Sequence, residues 1–411
     1  MRIPTPDRPR SWGSWPRSGF VAAAAVLAVG GAGAAAAATA ASDAAPAAAA
    51  APAVGTLTAL PYTFPAGSGG SLVRPLGISA FQGQVYVSNT SDNVLSDLNG
   101  GNTTTIAGSL EGSGENGDGG PANLATLWQP TGTAEDSAGD IYIADTENNV
   151  IRKIDAATGT IARFAGTGKA GATGPGGFAT QTQLDAPQGV AVDAAGDVFV
   201  ADTNNNRVDE VLASNGHMVL FAGDAKPGYA GDGGPAVKAE LTEPTGVAVD
   251  SAGNVYIADA GNNVIRRVDA KTGAITTVAG NYAADQANGG LGGFSGDGGP
   301  ATSAQLYDPE GVAVDGAGDL FIADTFNNAI REVTPDGTIF TVVNSASASG
   351  TTPPAGGETN GPATSSKLNG PSAVAVDNST STLYIADTHN NKAAAVTGLA
   401  QSGSAPGPVA P

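Results

Sequence analysis

The segment EPTGVAVDSAGNVYIADAGNNVIRRVDAKTGAITTVAG, from Glu243 to Gly280, decides how this chain folds. It contains four short runs of strand character: apolar Gly246–Asp250 and Asn254–Ala258, mixed Val264–Val268, and alternating Ala274–Ala279. DSAG, DAGNN and DAKTG separate them, turns whose Asp and Asn bond local backbone and whose Gly accepts positive φ. Connections this short force antiparallel neighbours, so the unit is a four-stranded meander.

Relatives of this unit begin near Pro75, Pro130, Pro187, Pro309 and Pro371, at intervals of 55, 57, 57, 65 and 62 residues once Pro244 is counted. A small twisted sheet cannot cover both of its faces alone, so six copies stack radially. The expected fold is all-β: a six-bladed β-propeller of four-stranded antiparallel blades. The sixth copy supplies segments near Ala373–Asp377, Leu383–Ala386 and Lys392–Val396, then dissolves into a polar tail. GTLTAL at Gly55–Leu60 reads like the fourth-strand segment GTIFTV at Gly337–Val342. An N-terminal strand is therefore expected to complete the last blade and leave no open edge.

GVAVDAAGDVFVADTNNNRV (Gly189–Val208), the equivalent strings at Gly246–Val268 and Gly311–Val333, and the GDGGPA spacer at Gly231 and Gly296 resemble NHL-repeat proteins. The chain looks most like the exported bacterial members and the NHL portion of teneurin-like proteins. The resemblance implies a six-bladed propeller over residues 54–397. It leaves function open, because such rings serve as interaction modules, lyases and lactonases.

The N-terminus carries Arg2, Arg8, Arg10 and Arg17 against Asp7, followed by an apolar run from Phe20 to Ala38. This layout predicts a signal peptide over residues 1–38, with export and no membrane attachment after cleavage. Residues 39–53 read as an Ala/Pro spacer and 398–411 as a disordered tail. The chain has 38 acidic and 18 basic residues, a formal charge of −20, which opposes nucleic-acid binding. The absence of Cys excludes disulfides and thiolate chemistry. The only two His, His217 and His389, are assigned to opposite faces, so they cannot share a metal.

Asp145, Asp202, Asp259, Asp324 and Asp387 recur at the end of the second strand segment in five of the copies. They are expected to accept backbone N–H groups in the following turn rather than to hold cations. The GDGGPA strings around Asp118, Asp232 and Asp297 lack the Lys of a phosphate loop; they are read as turns opening a short helix with Pro at its first position. The PAxxAxL runs ending at Leu127, Leu241 and Leu306 are expected to tuck that turn onto the ring.

Positions that vary between copies are the better functional candidates. One series precedes the repeat Pro by two residues: Val73, Trp128, Asp185, Thr242, Tyr307 and Asn369. The other lies in the second turn: Ser91, Glu147, Asn204, Gly261, Phe326 and His389. Both series fall on the face carrying the long connections. The ligand-binding set is therefore Trp128, Tyr307, Phe326, His389 and Glu147, joined by insertions 281–294 and 344–358. The leading function is a secreted, monomeric, non-enzymatic module that binds a protein or glycan and needs no cofactor. The alternative is a Ca²⁺-dependent hydrolase or lyase at the channel mouth, with Glu243, Asp308 and Glu310 as ligands and Glu135 as base. Glu135 replaces an inner-strand Val and is expected to point between blades.

Overall fold

The computed structural model describes residues 55–60, 72–99, 103–110, 112–174, 176–344 and 361–398. Residues 1–54 and 399–411 lie outside them, and with them the leader, the spacer and nearly all of the tail. Six antiparallel sheets follow one another along the chain. Blade 1 comprises Pro75–Phe81, Gln84–Asn89, Val94–Asp97 and Thr104–Gly108. Blade 2 comprises Pro130–Glu135, Ile141–Asp145, Val150–Ile154 and Ile161–Ala165. Blade 3 comprises Pro187–Val192, Val198–Asp202, Arg207–Val211 and Met218–Ala222. Blade 4 comprises Pro244–Val249, Val255–Asp259, Val264–Val268 and Ile275–Ala279. Blade 5 comprises Pro309–Val314, Leu320–Asp324, Ala329–Val333 and Thr338–Asn344. Blade 6 comprises Pro371–Asp377, Thr382–Asp387, Lys392–Thr397 and the borrowed Thr56–Ala59. The borrowed strand pairs antiparallel with its neighbour from Thr56↔Thr397 to Ala59↔Ala394, closing the ring as expected.

Five blades carry one feature beyond the four strands. The incoming connection lays a short fifth segment on the outer strand: Pro121 bridges Thr160, Phe178 bridges His217 and Pro235 bridges Ala274. Gly299–Pro300 and Gly361–Pro362 do the same in blades 5 and 6. An outer strand otherwise presents unpaired backbone groups, and these segments cover them. Each then makes one 3₁₀ turn and drops a Leu between blades. Leu127, Leu184, Leu241 and Leu368 are fully buried and Leu306 nearly so, each stabilising by about 1.5–3 kcal/mol relative to exposure. The turn begins one residue later than the sequence implies. Pro121, Pro235 and Pro300 remain extended at ψ near 130° and cap the turn, which starts at the following Ala.

The inner strands line a central channel and touch around the ring. Side chains stitch each blade to the next. The second Asn of each NN pair sits in the left-handed region, at φ 56° for Asn263, and this geometry turns its amide outward. Its Oδ1 accepts the N–H of the residue before the next blade's Pro: Asn149 from Ala186 at 2.9 Å, Asn263 from Asp308 at 2.7 Å, Asn391 from Arg74 at 2.8 Å. A Thr three residues earlier donates its hydroxyl to that Pro's carbonyl, as Thr203 does to Pro244 at 2.8 Å and Thr388 does to Pro75 at 2.7 Å. The last pair in each series joins blade 6 to blade 1, so closure uses the contacts of the other junctions, among which only blade 4 to blade 5, with Ala260 in place of Thr, lacks the hydroxyl. Close approach also explains the inner-strand glycine: a Cβ on Gly246 would stand 2.6 Å from the Glu310 carbonyl oxygen of blade 5.

Candidate functional site

The long-connection face is built on a buried charged frame. Asp145, Asp202, Asp259, Asp324 and Asp387 are fully buried at the ends of the second strands. Their Oδ1 atoms accept an N–H from the residue two before the repeat Pro, as from Trp128 to Asp145 at 2.7 Å and from Tyr307 to Asp324 at 2.8 Å. The donor therefore lies in the preceding connection, not in the following turn that the sequence suggested. The turn contributes its Asn side chain instead, as Asn262 Nδ2 does to Asp259 at 2.8 Å. Burial pushes these carboxyls up, Asp259 to about 6 and Asp145 to about 7, and the donated hydrogen bonds oppose the rise.

Three fully buried arginines complete the frame. Arg152, Arg266 and Arg331 pair inward with Asp145, Asp259 and Asp324 at 3.2–3.5 Å, and outward with Asp118, Asp232 and Asp297 at 2.6–2.8 Å. The GDGGPA carboxylate thus neutralises a buried cation. Sequence reasoning missed these arginines, although a signal existed: the third-strand Arg and the spacer Asp occur together in copies 2, 4 and 5. In copy 3 Arg207 moves to the strand start and pairs with Asp209 at 2.9 Å as well as Asp202.

Above this frame the two varying series meet. In every blade the second-turn residue donates its N–H to the carbonyl of the residue two before Pro: Ser91 to Val73, Glu147 to Trp128, Asn204 to Asp185, Gly261 to Thr242, Phe326 to Tyr307 and His389 to Asn369. Each blade tip is therefore a side-by-side pair. Trp128 is 41% exposed and Phe326 40%, while Glu147 and Tyr307 are half-buried. Tyr307 and Phe326 pack edge to face with centroids 4.9 Å apart. His389, exposed on the adjacent blade, covers Gly370, where a Cβ would collide with the imidazole. Blades 2 and 5 lie opposite in a six-membered ring, so Trp128 and the Tyr307–Phe326 pair flank the channel from two sides.

Insertion 281–294 adds the helix Tyr282–Ala287, capped by Asn281 Oδ1 accepting from Ala284 at 3.0 Å; no sequence expectation placed it. Its Tyr282 stacks on Tyr229 with centroids 3.9 Å apart. The other insertion, residues 344–358, lies outside the described residues apart from Asn344. His217 lies at the opposite end of blade 3, edge to face with Phe178 at 4.7 Å, and so remains separate from His389.

The channel opens between the inner strands as a cavity of about 110 Å³ lined by Leu76, Thr131, Gln188, Thr245, Glu310 and Ser372 and by the residues following them. Burial and the neighbouring Asp308 push Glu310 up to about 8, opposed by Arg74. Among the described residues no three His, Cys, Asp or Glu side chains gather to hold a metal ion, so Glu243 on blade 4 does not join Asp308 and Glu310 in such a centre. Glu135 lies at the junction of blades 1 and 2, where Ser79 Oγ donates to its Oε1 at 2.6 Å and shares a 2.8 Å hydrogen bond with Thr133. Burial raises it to about 7 against that hydrogen bond.

Comparison with known proteins gives a consistent picture. The teneurin NHL domain matches residues 204–289 and 283–397, and the NHL repeat matches residues 184–208. Human NHL repeat-containing protein 2 is 27% identical over 279 residues, 61% of this chain and 36% of that protein. Human teneurin-4 is 32% identical over 235 residues, 52% of this chain and 8% of its own length. The chain thus spans little more than a third of the former and far less of the latter. An auxiliary nutrient binding protein from Bacteroides thetaiotaomicron VPI-5482 superposes with a TM-score of 0.57 over 83% of this chain and 76% of that one, at 13% identity, a likeness of fold.

Proposed function

Because the chain belongs to the NHL-repeat β-propellers, we propose that it is an exported, non-enzymatic module that binds a protein or glycan through its long-connection face. The carrying observation is the contrast between two layers. The frame of Asp, Asn and Thr repeats almost unchanged from blade to blade, whereas the paired tips above it differ in every blade. Backbone hydrogen bonds hold the tips, which leaves their side chains available to a partner. Trp128 and the Tyr307–Phe326 pair offer aromatic area of the kind that anchors interfaces. The nutrient-binding protein with a similar fold is consistent with a binding role.

Export rests on the basic N-terminus and the apolar run that follows; mass spectrometry of the mature protein is expected to find its first residue beyond Ala38. The binding reading is tested by probing the purified protein on glycan arrays and against proteins of its own culture medium. A variant combining Trp128→Ala, Tyr307→Ala and Phe326→Ala should keep its melting profile and lose capture of any partner the wild type holds. Undiminished capture refutes this face.

A further inference from the structure

We propose that the channel mouth over blade 6 binds a small zwitterion of the α-amino-acid class, with Glu310 holding the ammonium and Arg74 the carboxylate. This goes beyond the recognition face and uses other residues.

Glu310 lines the cavity, and among the described residues its carboxylate makes neither a hydrogen bond nor an ion pair. The hydroxyls beside it are already engaged: Thr131 donates to Gln188 O, Thr245 to Glu310 O, and Ser372 to Leu76 O. The rest of the wall is glycine, alanine and Val, Leu or Ile apart from Thr133 and Gln188. Arg74 immediately precedes Pro75 at the head of blade 1, in the register that Gly370 and Asp308 hold in blades 6 and 5, whose inner strands pack side by side around the channel; it lowers both Glu310 and His389, yet its guanidinium forms no ion pair among the described residues. Blade 6 lies between them, and there the position before Pro is Gly370, which presents no side chain. Behind that gap stand His389 and Asn369, whose Oδ1 is buried with no hydrogen-bond partner. Native structures seldom leave buried polar atoms unpaired without a ligand or ordered water to serve them.

These charges select the ligand. A simple cation that approaches Glu310 and Asp308 meets repulsion from Arg74, and a simple anion at Arg74 meets two carboxylates. A molecule carrying both charges satisfies both ends, each through a charge-assisted hydrogen bond. The cavity of about 110 Å³ admits several waters or one small molecule but no folded segment.

The test is a calorimetric titration of the wild-type protein at pH 9, where Glu310, raised to about 8, is ionised, with L-alanine and with ethylammonium and acetate as single-charge probes. Alanine is expected to bind saturably, and both half-probes more weakly by at least about tenfold, the loss of one charged hydrogen bond. Glu310→Gln and Arg74→Gln should each weaken alanine by a similar factor with unchanged circular dichroism. The triple aromatic variant should bind alanine normally, which separates this site from the recognition face. Absence of saturable alanine binding overturns the proposal. So does equal affinity for ethylammonium, or alanine binding unaffected by either charge substitution. The wild-type probe series decides the matter even if a variant folds poorly.

Discussion

Glu332→Gln should stabilise the propeller, and by an amount that grows with pH. Glu332 is 1% exposed in the third strand of blade 5, and its Oε2 has no hydrogen-bond partner. Burial, then the charges of Asp319 and Asp315, push it from an ordinary 4.5 to about 8. The equivalent position is Lys153 in blade 2, whose Nζ pairs with Asp140 at 2.7 Å, and Arg267 in blade 4. Blade 5 thus places an acid where those two blades place a cation. A carboxyl raised in the folded state binds its proton there while the unfolded chain has released it, so its contribution is intact below pH 4.5 and is lost progressively as pH approaches 8. At 1.36 kcal/mol per unit, the penalty at pH 7 is roughly 3 kcal/mol and at pH 5 under about 1 kcal/mol, both upper limits. Glutamine keeps the shape, carries no charge at any pH, and its amide can donate toward Asp319. Urea unfolding of both proteins at pH 5, 6 and 7 measures the effect: the gap should widen by about 2–3 kcal/mol across that range. Parallel stability curves refute the reasoning, because they mean that Glu332 titrates alike in folded and unfolded chains.

Ala260→Thr should stabilise by about 1 kcal/mol in thermal or urea melts, because blade 4 alone lacks the Thr hydroxyl that the other five donate to the next blade's Pro carbonyl. Arg266→Met should cost about 3–5 kcal/mol, since Asp259 is left buried without its cation, whereas Asp232→Asn, at a half-exposed partner, should cost much less. Deleting residues 55–60 removes the strand that pairs with Lys392–Thr397; hydrogen exchange should then accelerate in blade 6 before it does in blades 3 and 4. Gly246→Ala should lower the melting temperature, because the added Cβ has only 2.6 Å to the Glu310 carbonyl oxygen and backbone must move to admit it.

Repetition made the fold legible. One copy fixed the strands to within about two residues, and the truncated sixth copy pointed to Gly55–Leu60 as its missing edge. The two varying series on the long-connection face were legible for the same reason, as positions that vary while their surroundings do not; that they sit side by side in each blade appears only in the backbone hydrogen bonds. What escaped was contact between segments far apart in the chain. Nothing local to Asp232 announces Arg266, 34 positions on, and nothing around Asn263 announces the Asp308 amide it fixes in the next blade. The helix Tyr282–Ala287 escaped for another reason: it lies in an insertion with no counterpart to compare.

The same contrast locates function. A residue that recurs from blade to blade is held by its neighbours: Asp259 engages an N–H, an Asn and an Arg, leaving little for a ligand. Chemistry becomes available where a blade departs from its siblings and the departure goes uncompensated. Copy 3 departs at Arg207 but supplies Asp209, so its charges close on themselves. At the channel mouth Glu310 replaces the Thr of blades 2 and 4, Arg74 the Gln of blade 2, and Gly370 a side chain in every other blade. Arg74 lowers Glu310 from two blades away, yet neither side chain closes into an ion pair among the described residues. Scaffold needs satisfy themselves within a blade or with the next one, so an opposed pair left open across Gly370 is better explained by something that enters the channel than by the stability of the ring.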